Sequence, residues 1–306
     1  FSHPSSSSST MPYGQRRTRA SVRPVQIVSC AGDRLMLNEA ALRQVLEHRH
    51  ISEAGANCEI GIFNIAGSAR QGKSFILNLY LEFFYAEQAR LEGDASASWR
   101  AEGTRFAGFH FLNSANSDTQ GVWMWGEPIM LPLRDRLLAV VLMDTQGLFD
   151  ATISAEATET SYSLFALSTL ISSVQVFNVM RTIEAPFIAF YRMLMEFGAA
   201  IAQGDEHAFQ TMYLLVRDWP FPNDYPYGLQ QTDRFLRERS QDLLETSRMF
   251  ERAGCVLLPH PGESVMFEPR FDGNINRYIS RFLEHVGAMA AHMLSSGELC
   301  GKKISG

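Results

Sequence analysis

A chain of 306 residues, 46% of them apolar, is long enough for one large α/β domain or two small ones around a sizeable core. Its 27 Lys and Arg against 33 Asp and Glu leave a formal charge of −6, so no overall basic field attracts a polyanion, and nucleic acid is excluded as a partner outside a local patch. No window approaches the ~18 consecutive apolar residues of a membrane helix. Cys30, Cys58, Cys255 and Cys300 lie far apart without C-x-x-C or His/Cys ligand spacing, which reads as free thiols and not as a disulfide framework.

Residues 1–23 run through Ser5 to Ser9 and then Arg16, Arg17, Arg19 and Arg23, a composition that cannot bury apolar area and predicts a disordered, solvated tail. The chain opens on Phe1, without Met or the apolar core of a signal peptide, as a fragment or processed chain would. Pro24 to Cys30 predicts a strand, and Asn38 to Glu47 a helix capped by Asn38.

Ile60 to Ala66 is a short β-branched apolar run that leads directly into Gly67-Ser68-Ala69-Arg70-Gln71-Gly72-Lys73-Ser74. This octapeptide fits G-x-x-x-x-G-K-[ST], and Phe75, Leu77, Leu79, Leu81, Phe83 and Phe84 then predict a buried helix of about three turns. Strand, glycine loop and helix are the context a phosphate loop requires. Gly67 and Gly72 let backbone N–H groups close around phosphates, Lys73 reaches the β/γ oxygens, and the Ser74 hydroxyl can ligate Mg²⁺. The chain therefore reads as a nucleotide binder.

Residues 87–120 are polar, and Ser117-Asp118-Thr119-Gln120-Gly121 within them is where a switch loop bearing a second hydroxyl ligand of Mg²⁺ is expected, with Thr119 as that ligand. Val122 to Trp125 and Ile129 to Leu131 suggest one strand interrupted around Gly126 and Pro128. Leu137 to Met143 predicts a central strand, followed by Asp144-Thr145-Gln146-Gly147, a D-x-x-G arrangement. Asp144 can hold a Mg²⁺-bound water, and the Gly147 N–H can approach a γ-phosphate because no side chain intervenes.

Further on, a helix is expected over Ala155 to Ser172, a strand over Val174 to Val179, a helix over Ala185 to Ala202 and a strand over Met212 to Val216. A long polar-faced helix over Thr232 to Glu251, a strand over Cys255 to Leu258 and a last helix over Asn274 to Met293 complete the order. The alternation predicts an α/β, doubly wound, mostly parallel central sheet with helices on both faces and an antiparallel contribution near residues 122–143. No N-K-x-D tetrapeptide is present for base choice. Instead, Arg217-Asp218 follows a strand, where the Asp can take guanine N1–H and the exocyclic amine and the Arg can stack or pair beside the ring.

Taken in order, G-S-A-R-Q-G-K-S, T-Q-G-V-W-M-W, L-M-D-T-Q-G-L-F-D, F-A-L-S-T-L-I-S-S-V-Q-V-F-N, L-V-R-D-W-P-F-P and L-L-P-H-P-G closely resemble the GTPase domain of the atlastins. These are dynamin-superfamily GTPases that tether and fuse endoplasmic reticulum membranes, and guanylate-binding proteins share their fold and several motifs. The resemblance implies a P-loop large GTPase domain over residues 24–300, with 301–306 starting a linker to a helical bundle. It also implies GTP as substrate, GDP as product, Mg²⁺, and a homodimer formed through the GTPase domain. Membrane contact would come only through segments absent from this chain, a cytosolic domain of an endoplasmic reticulum protein.

Residue by residue, Arg70 matches an arginine finger acting in cis upon dimerisation, Thr119 the first-switch threonine, Asp144 and Gly147 the second switch, and Arg217 with Asp218 the guanine dipeptide. His260 and Pro261, in Leu258-Pro259-His260-Pro261-Gly262, match a loop over guanine and ribose. Gln71, Phe75 and Gln146 complete the implied nucleotide contacts. Gln146 and L-L-P-H-P-G favour atlastins, whereas Gln120 stands where atlastins usually carry a second Thr. A soluble guanylate-binding-type GTPase and a nucleotide-gated scaffold with little turnover are the alternatives.

Overall fold

The computed structural model describes residues 22–31, 34–106, 108–110, 120–147, 155–183, 209–267 and 273–301, with a few isolated positions between 188 and 200. The Ser/Arg-rich stretch up to residue 21, Thr119 and most of the expected helix 185–202 lie outside these described residues.

Ten described strands form one sheet: β1 Pro24–Ala31, β2 Arg34–Leu37, β3 Cys58–Gly67, β4 Val122–Trp125, β5 Ile129–Pro132, β6 Leu137–Thr145, β7 Val174–Met180, β8 Phe209–Arg217, β9 Gly228–Leu229 and β10 Phe250–Leu257. Their spatial order is β2-β1-β4-β6-β3-β7-β8-β10-β9, with β5 also paired to β6. The five strands β6, β3, β7, β8 and β10 are mutually parallel and make the centre; the remaining pairings are antiparallel. The central strands are buried along nearly their whole length, as the continuous apolar runs of a parallel sheet require.

β4 and β5 both lie antiparallel to β6, Met124 opposite Met143 and Ile129 opposite Val140, so they are one line of chain along β6 broken where the register slips. Gly126 marks the break: a Cβ there would overlap the carbonyl oxygen of Arg23.

Helices cover both faces. On one lie α3 Lys73–Leu91 and the long C-terminal helix Ser280–Ser295, which pack with Phe63, Ile65, Val140, Leu142 and Tyr213. The opposite face carries α1 Glu39–Leu46, which the short α2 Arg49–Ala54 follows in the chain, and α4 Ala155–Ile171 over Ile62, Val141 and Met143, and two short helices over Phe177, Leu214 and Val216. Alternate residues of each strand thus feed opposite cores, and each large apolar side chain so buried contributes about 1.5–3 kcal/mol. α3 has 19 residues, longer than the three turns predicted, because its side chains meet the sheet on one side and the C-terminal helix on the other.

Asn38 caps α1 as expected, its side chain accepting the Ala41 N–H at 3.1 Å. The predicted helix over Thr232 to Glu251 is instead α5 Thr232–Arg239 and α6 Gln241–Ser247, followed by β10. Ser240 adopts extended backbone (φ −163°, ψ 120°) and its hydroxyl caps the second helix at Leu243 N–H, a role Ser fills better than a helix interior. The last helical stretch likewise divides, into a 3₁₀ turn Ile275–Arg277 capped by Asn274 and the helix α8 Ser280–Ser295, after the short α7 Glu263–Met266.

Candidate functional site

The carboxyl ends of the five parallel strands deliver every described candidate residue to one rim, as open α/β sheets do. β3 ends in the phosphate loop, β6 in Asp144, β7 in Asn178, β8 in Arg217-Asp218 and β10 in the loop bearing His260 and Pro261.

The phosphate loop owes its path to residues with unusual backbone. Gly72 has φ 63° at the start of α3, and Arg70, at the exposed crest, has φ 61°, a left-handed conformation that costs an L side chain about 1 kcal/mol. Asn178 holds the inside of the loop, donating from Nδ2 to the carbonyl of Gln71 at 2.9 Å. A Cβ on Gly67 would overlap Asn178's own carbonyl oxygen, so this junction of β3 and β7 requires glycine.

Lys73 is buried and donates from Nζ to the carbonyl of Ser68 across the loop at 3.0 Å. Burial pushes its pKa down to about 8, against the opposing pull of the Asp144 carboxylate. The Ser74 hydroxyl donates to Asp144 Oδ2 at 2.5 Å, joining the first turn of α3 to the end of β6. A hydroxyl beside a buried carboxylate at a phosphate loop is a hard-oxygen pair that fits Mg²⁺. Gly147 sits against the loop: a Cβ there would overlap Ala69, so the D-x-x-G turn and the phosphate loop touch backbone to backbone.

Gln146 points elsewhere. Its Oε1 accepts the Gly121 N–H at 2.9 Å and its Nε2 donates to the Ser161 hydroxyl at 3.1 Å, while its own N–H donates to the Gly121 carbonyl at 2.8 Å. Gln146 thus fastens the end of β6 to the start of β4 and to α4, next to the segment bearing Thr119.

At the end of β8 two neighbours differ in their surroundings. Asp218 has φ 52° and is 8% exposed, and its Oδ1 is buried with no hydrogen-bond partner among the described residues. Arg217 runs inward, 2% exposed, with Nη1 donating to the carbonyls of Gln71 at 2.7 Å and Gly72 at 3.2 Å. Its Cζ lies 5.6 Å from the centroid of the Phe75 ring. Burial lowers the Arg217 pKa, with Asp218 and Tyr278 opposing, but a guanidinium stays charged. The sequence placed Arg217 beside a base; its side chain lies under the phosphate loop. The loop after β10 is brought alongside by Trp219 N–H to Leu258 carbonyl at 3.0 Å, and His260 Nδ1 accepts the Gly262 N–H at 3.0 Å.

Sequence reasoning missed Asn178, which belongs to the core of the loop's support. Its signal was present: an amide near the end of the mostly apolar strand Val174–Met180. The partnered amides Asn64 and Gln175, bonded at 2.8 Å inside the sheet, show that such residues also serve structure, so the signal alone could not assign it.

A phosphate loop and a facing carboxylate turn, on one rim of a mostly parallel sheet, define an α/β domain of the phosphate-loop, nucleotide-binding class. Residues 32–302 match the guanylate-binding protein, N-terminal domain family, and the chain belongs to it. It is similar to Atlastin-2 of Xenopus laevis, 33% identical over 93% of this chain and 50% of the relative. It is also similar to Atlastin-3 of Homo sapiens, at 32% over 92% of this chain and 53% of the relative, and to Atlastin-1 of Rattus norvegicus, at 32% over 92% and 51%. The chain spans about half the length of the curated relatives it matches. No described helix is long and apolar enough to cross a membrane.

Proposed function

We propose that this domain binds GTP with Mg²⁺ and hydrolyses it by attack of an oriented water on the γ-phosphate, in a protein of atlastin type that tethers and fuses endoplasmic reticulum membranes from the cytosolic side. The observation that carries the reading is the preformed meeting of Lys73, Ser74, Asp144 and Gly147 around the phosphate loop, with Asp218 open-handed at the base end of the same rim.

Ser74, with Asp144 through water and Thr119 from the switch segment, would hold Mg²⁺, which when bound neutralises phosphate charge and orients the β and γ oxygens. The loop N–H groups from Gly67 to Phe75 and the Lys73 ammonium bind and align the phosphates. The Gly147 N–H meets the γ-phosphate and helps set the position of the water. Asp218 accepts the guanine N1–H and 2-amino group, and His260 and Pro261 cover base and ribose. No carboxylate base is required, since positioning and charge stabilisation dominate phosphoryl transfer.

Arg70 completes the chemistry. Its exposed place at the loop crest supports a second GTPase domain packing over the nucleotide, which would press the guanidinium onto the transferring phosphoryl group. In a protein of this type a helical bundle would carry the pairing to the membrane.

The experiment is GTPase activity per mole of domain across a wide protein concentration range, with Mg²⁺. Activity that rises with concentration supports assembly of the site by dimerisation. A concentration-independent rate removes the dimer, and absence of turnover with intact GTP binding favours the nucleotide-gated scaffold.

A further inference from the structure

We propose that Arg217 is a positioning residue that transmits seating of the base on Asp218 to the phosphate loop, so that the base controls turnover through the backbone carrying Arg70. The inference rests on the GTPase reading above, which gives Arg217 no part.

The Arg217 side chain is gripped at the joint between loop and helix. Gln71 carbonyl, its nearer acceptor, also takes the Asn178 amide; Gly72 carbonyl, its second, also takes the Ile76 N–H at 3.1 Å, the first bond of α3. One planar group therefore touches the two consecutive peptides that follow Arg70. A Cβ on Gly72 would lie 2.6 Å from Nη1, so the loop is built around the guanidinium.

Its position is also fixed from beside. Phe75, whose face it occupies, stacks on Tyr278 with centroids 5.6 Å apart and 23° between planes, and Tyr278 stacks on Phe282. Five rigid N–H donors on a plane transmit displacement better than a flexible ammonium, because few rotamers can absorb it.

The other end of this strut is the base reader. Asp218 is the next residue, held in left-handed backbone, and the Arg217 carbonyl accepts the Arg181 N–H at 2.7 Å. A base that draws Asp218 into place with two N–H groups fixes the peptide from which the Arg217 side chain springs. A base offering one N–H leaves that anchor looser, and the looseness reaches Gln71, Gly72 and Arg70. Since a misplacement near 1 Å can cost about 100-fold in rate, base identity would appear in kcat and not in binding alone.

The test compares GTP with ITP, which lacks the 2-amino group, in wild type and R217K. Wild type is expected to turn over ITP with a lower kcat than GTP. R217K keeps the charge but loses the fork, so its kcat for GTP should fall about 10–100-fold with GDP affinity within threefold, and its GTP/ITP ratio of kcat should approach one. If R217K does not fold, F75L, which removes the aromatic seat and leaves Arg217 in place, should narrow the same ratio.

Amide exchange of peptides covering residues 67–76 is read in parallel and needs no turnover. In wild type the loop should exchange more slowly with GDP than with IDP, and in R217K equally. A tenfold loss of GDP affinity at unchanged kcat would make Arg217 a base ligand and overturn the proposal, as would a wild-type kcat ratio retained in the variant. Wild type without turnover would sink the hydrolysis reading while the exchange comparison still decides the coupling. Equal wild-type exchange with GDP and IDP rejects it.

Discussion

The phosphate end and the base end of the site keep their polar groups in different states. At the phosphate end Lys73 is bonded to the Ser68 carbonyl, Ser74 to Asp144, and the Gln71 carbonyl to both Asn178 and Arg217, while the side-chain oxygens Gln71 Oε1 and Asn178 Oδ1 are buried there without a hydrogen bond among the described residues. At the base end Asp218 Oδ1 is buried without a hydrogen bond among the described residues, in a backbone conformation that favours few side chains. An unsatisfied buried acceptor costs about 1–3 kcal/mol, which a base with two N–H donors would offset. A ligand at the phosphate end exchanges bonds that Lys73 and Ser74 already make, and at Asp218 Oδ1 it meets an acceptor that makes none among the described residues. In the proposed reading the phosphates would then supply general affinity and the base would supply discrimination.

The largest effect expected separates both ends from catalysis. Arg70→Ala should lower kcat by about 1,000-fold or more while GDP affinity changes less than threefold, measured by single-turnover hydrolysis and fluorescence titration. A parallel fall in affinity would return Arg70 to the binding end.

Asp218→Asn addresses the base end directly. The preference for GTP over ATP should drop about 100-fold in competition, because the acceptor for two guanine N–H groups is replaced by an amide that matches only one. An unchanged preference would break the contrast between the ends.

Lys73 supplies a milder, pH-dependent test of the phosphate end. Its pKa of about 8 in the free domain lies below the ordinary 10.5, so the cost of burying its charge is present below about pH 8 and is relieved as pH rises towards 10.5. Bound phosphates favour the charged form and raise the pKa, so binding takes up a proton above pH 8. Nucleotide affinity should consequently fall with rising pH beyond that point, by up to about tenfold per unit, and calorimetry in buffers of different ionisation enthalpy should register the uptake.

The smallest effect belongs to Asn178→Ala. Removing its bond to the Gln71 carbonyl leaves Arg217 on the same acceptor, so a loss of about 1–2 kcal/mol in unfolding stability is expected by denaturant titration, with turnover reduced only a few-fold. A collapse of turnover to the level of R70A would show that Asn178, and not Arg217, holds the loop.

The motifs on single strand ends were legible from the chain because each is a local unit. Gly67 to Ser74 after an apolar strand, and Asp144 to Gly147 after another, need only neighbouring residues to declare a phosphate loop and a carboxylate turn. The alternation of elements likewise fixed the doubly wound sheet, and Asn38 before Glu39 a helix start. Helix extent was less legible: the polar run Thr232 to Glu251 hid the break at Ser240, where capping overrides helical periodicity. Gln146 illustrates the same limit within a motif, its side chain being taken by Gly121 and Ser161.

By itself, the sequence determined that this chain has a phosphate loop, a facing Asp-x-x-Gly turn and a candidate base-reading Asp, since residue type, spacing and hydrophobic context carry that chemistry. Only the tertiary structure decided that the Arg217 side chain supports the phosphate loop. The destination of the guanidinium depends on Gly72, Phe75 and Asn178, brought there from β7 and α3 by parallel pairing across the sheet.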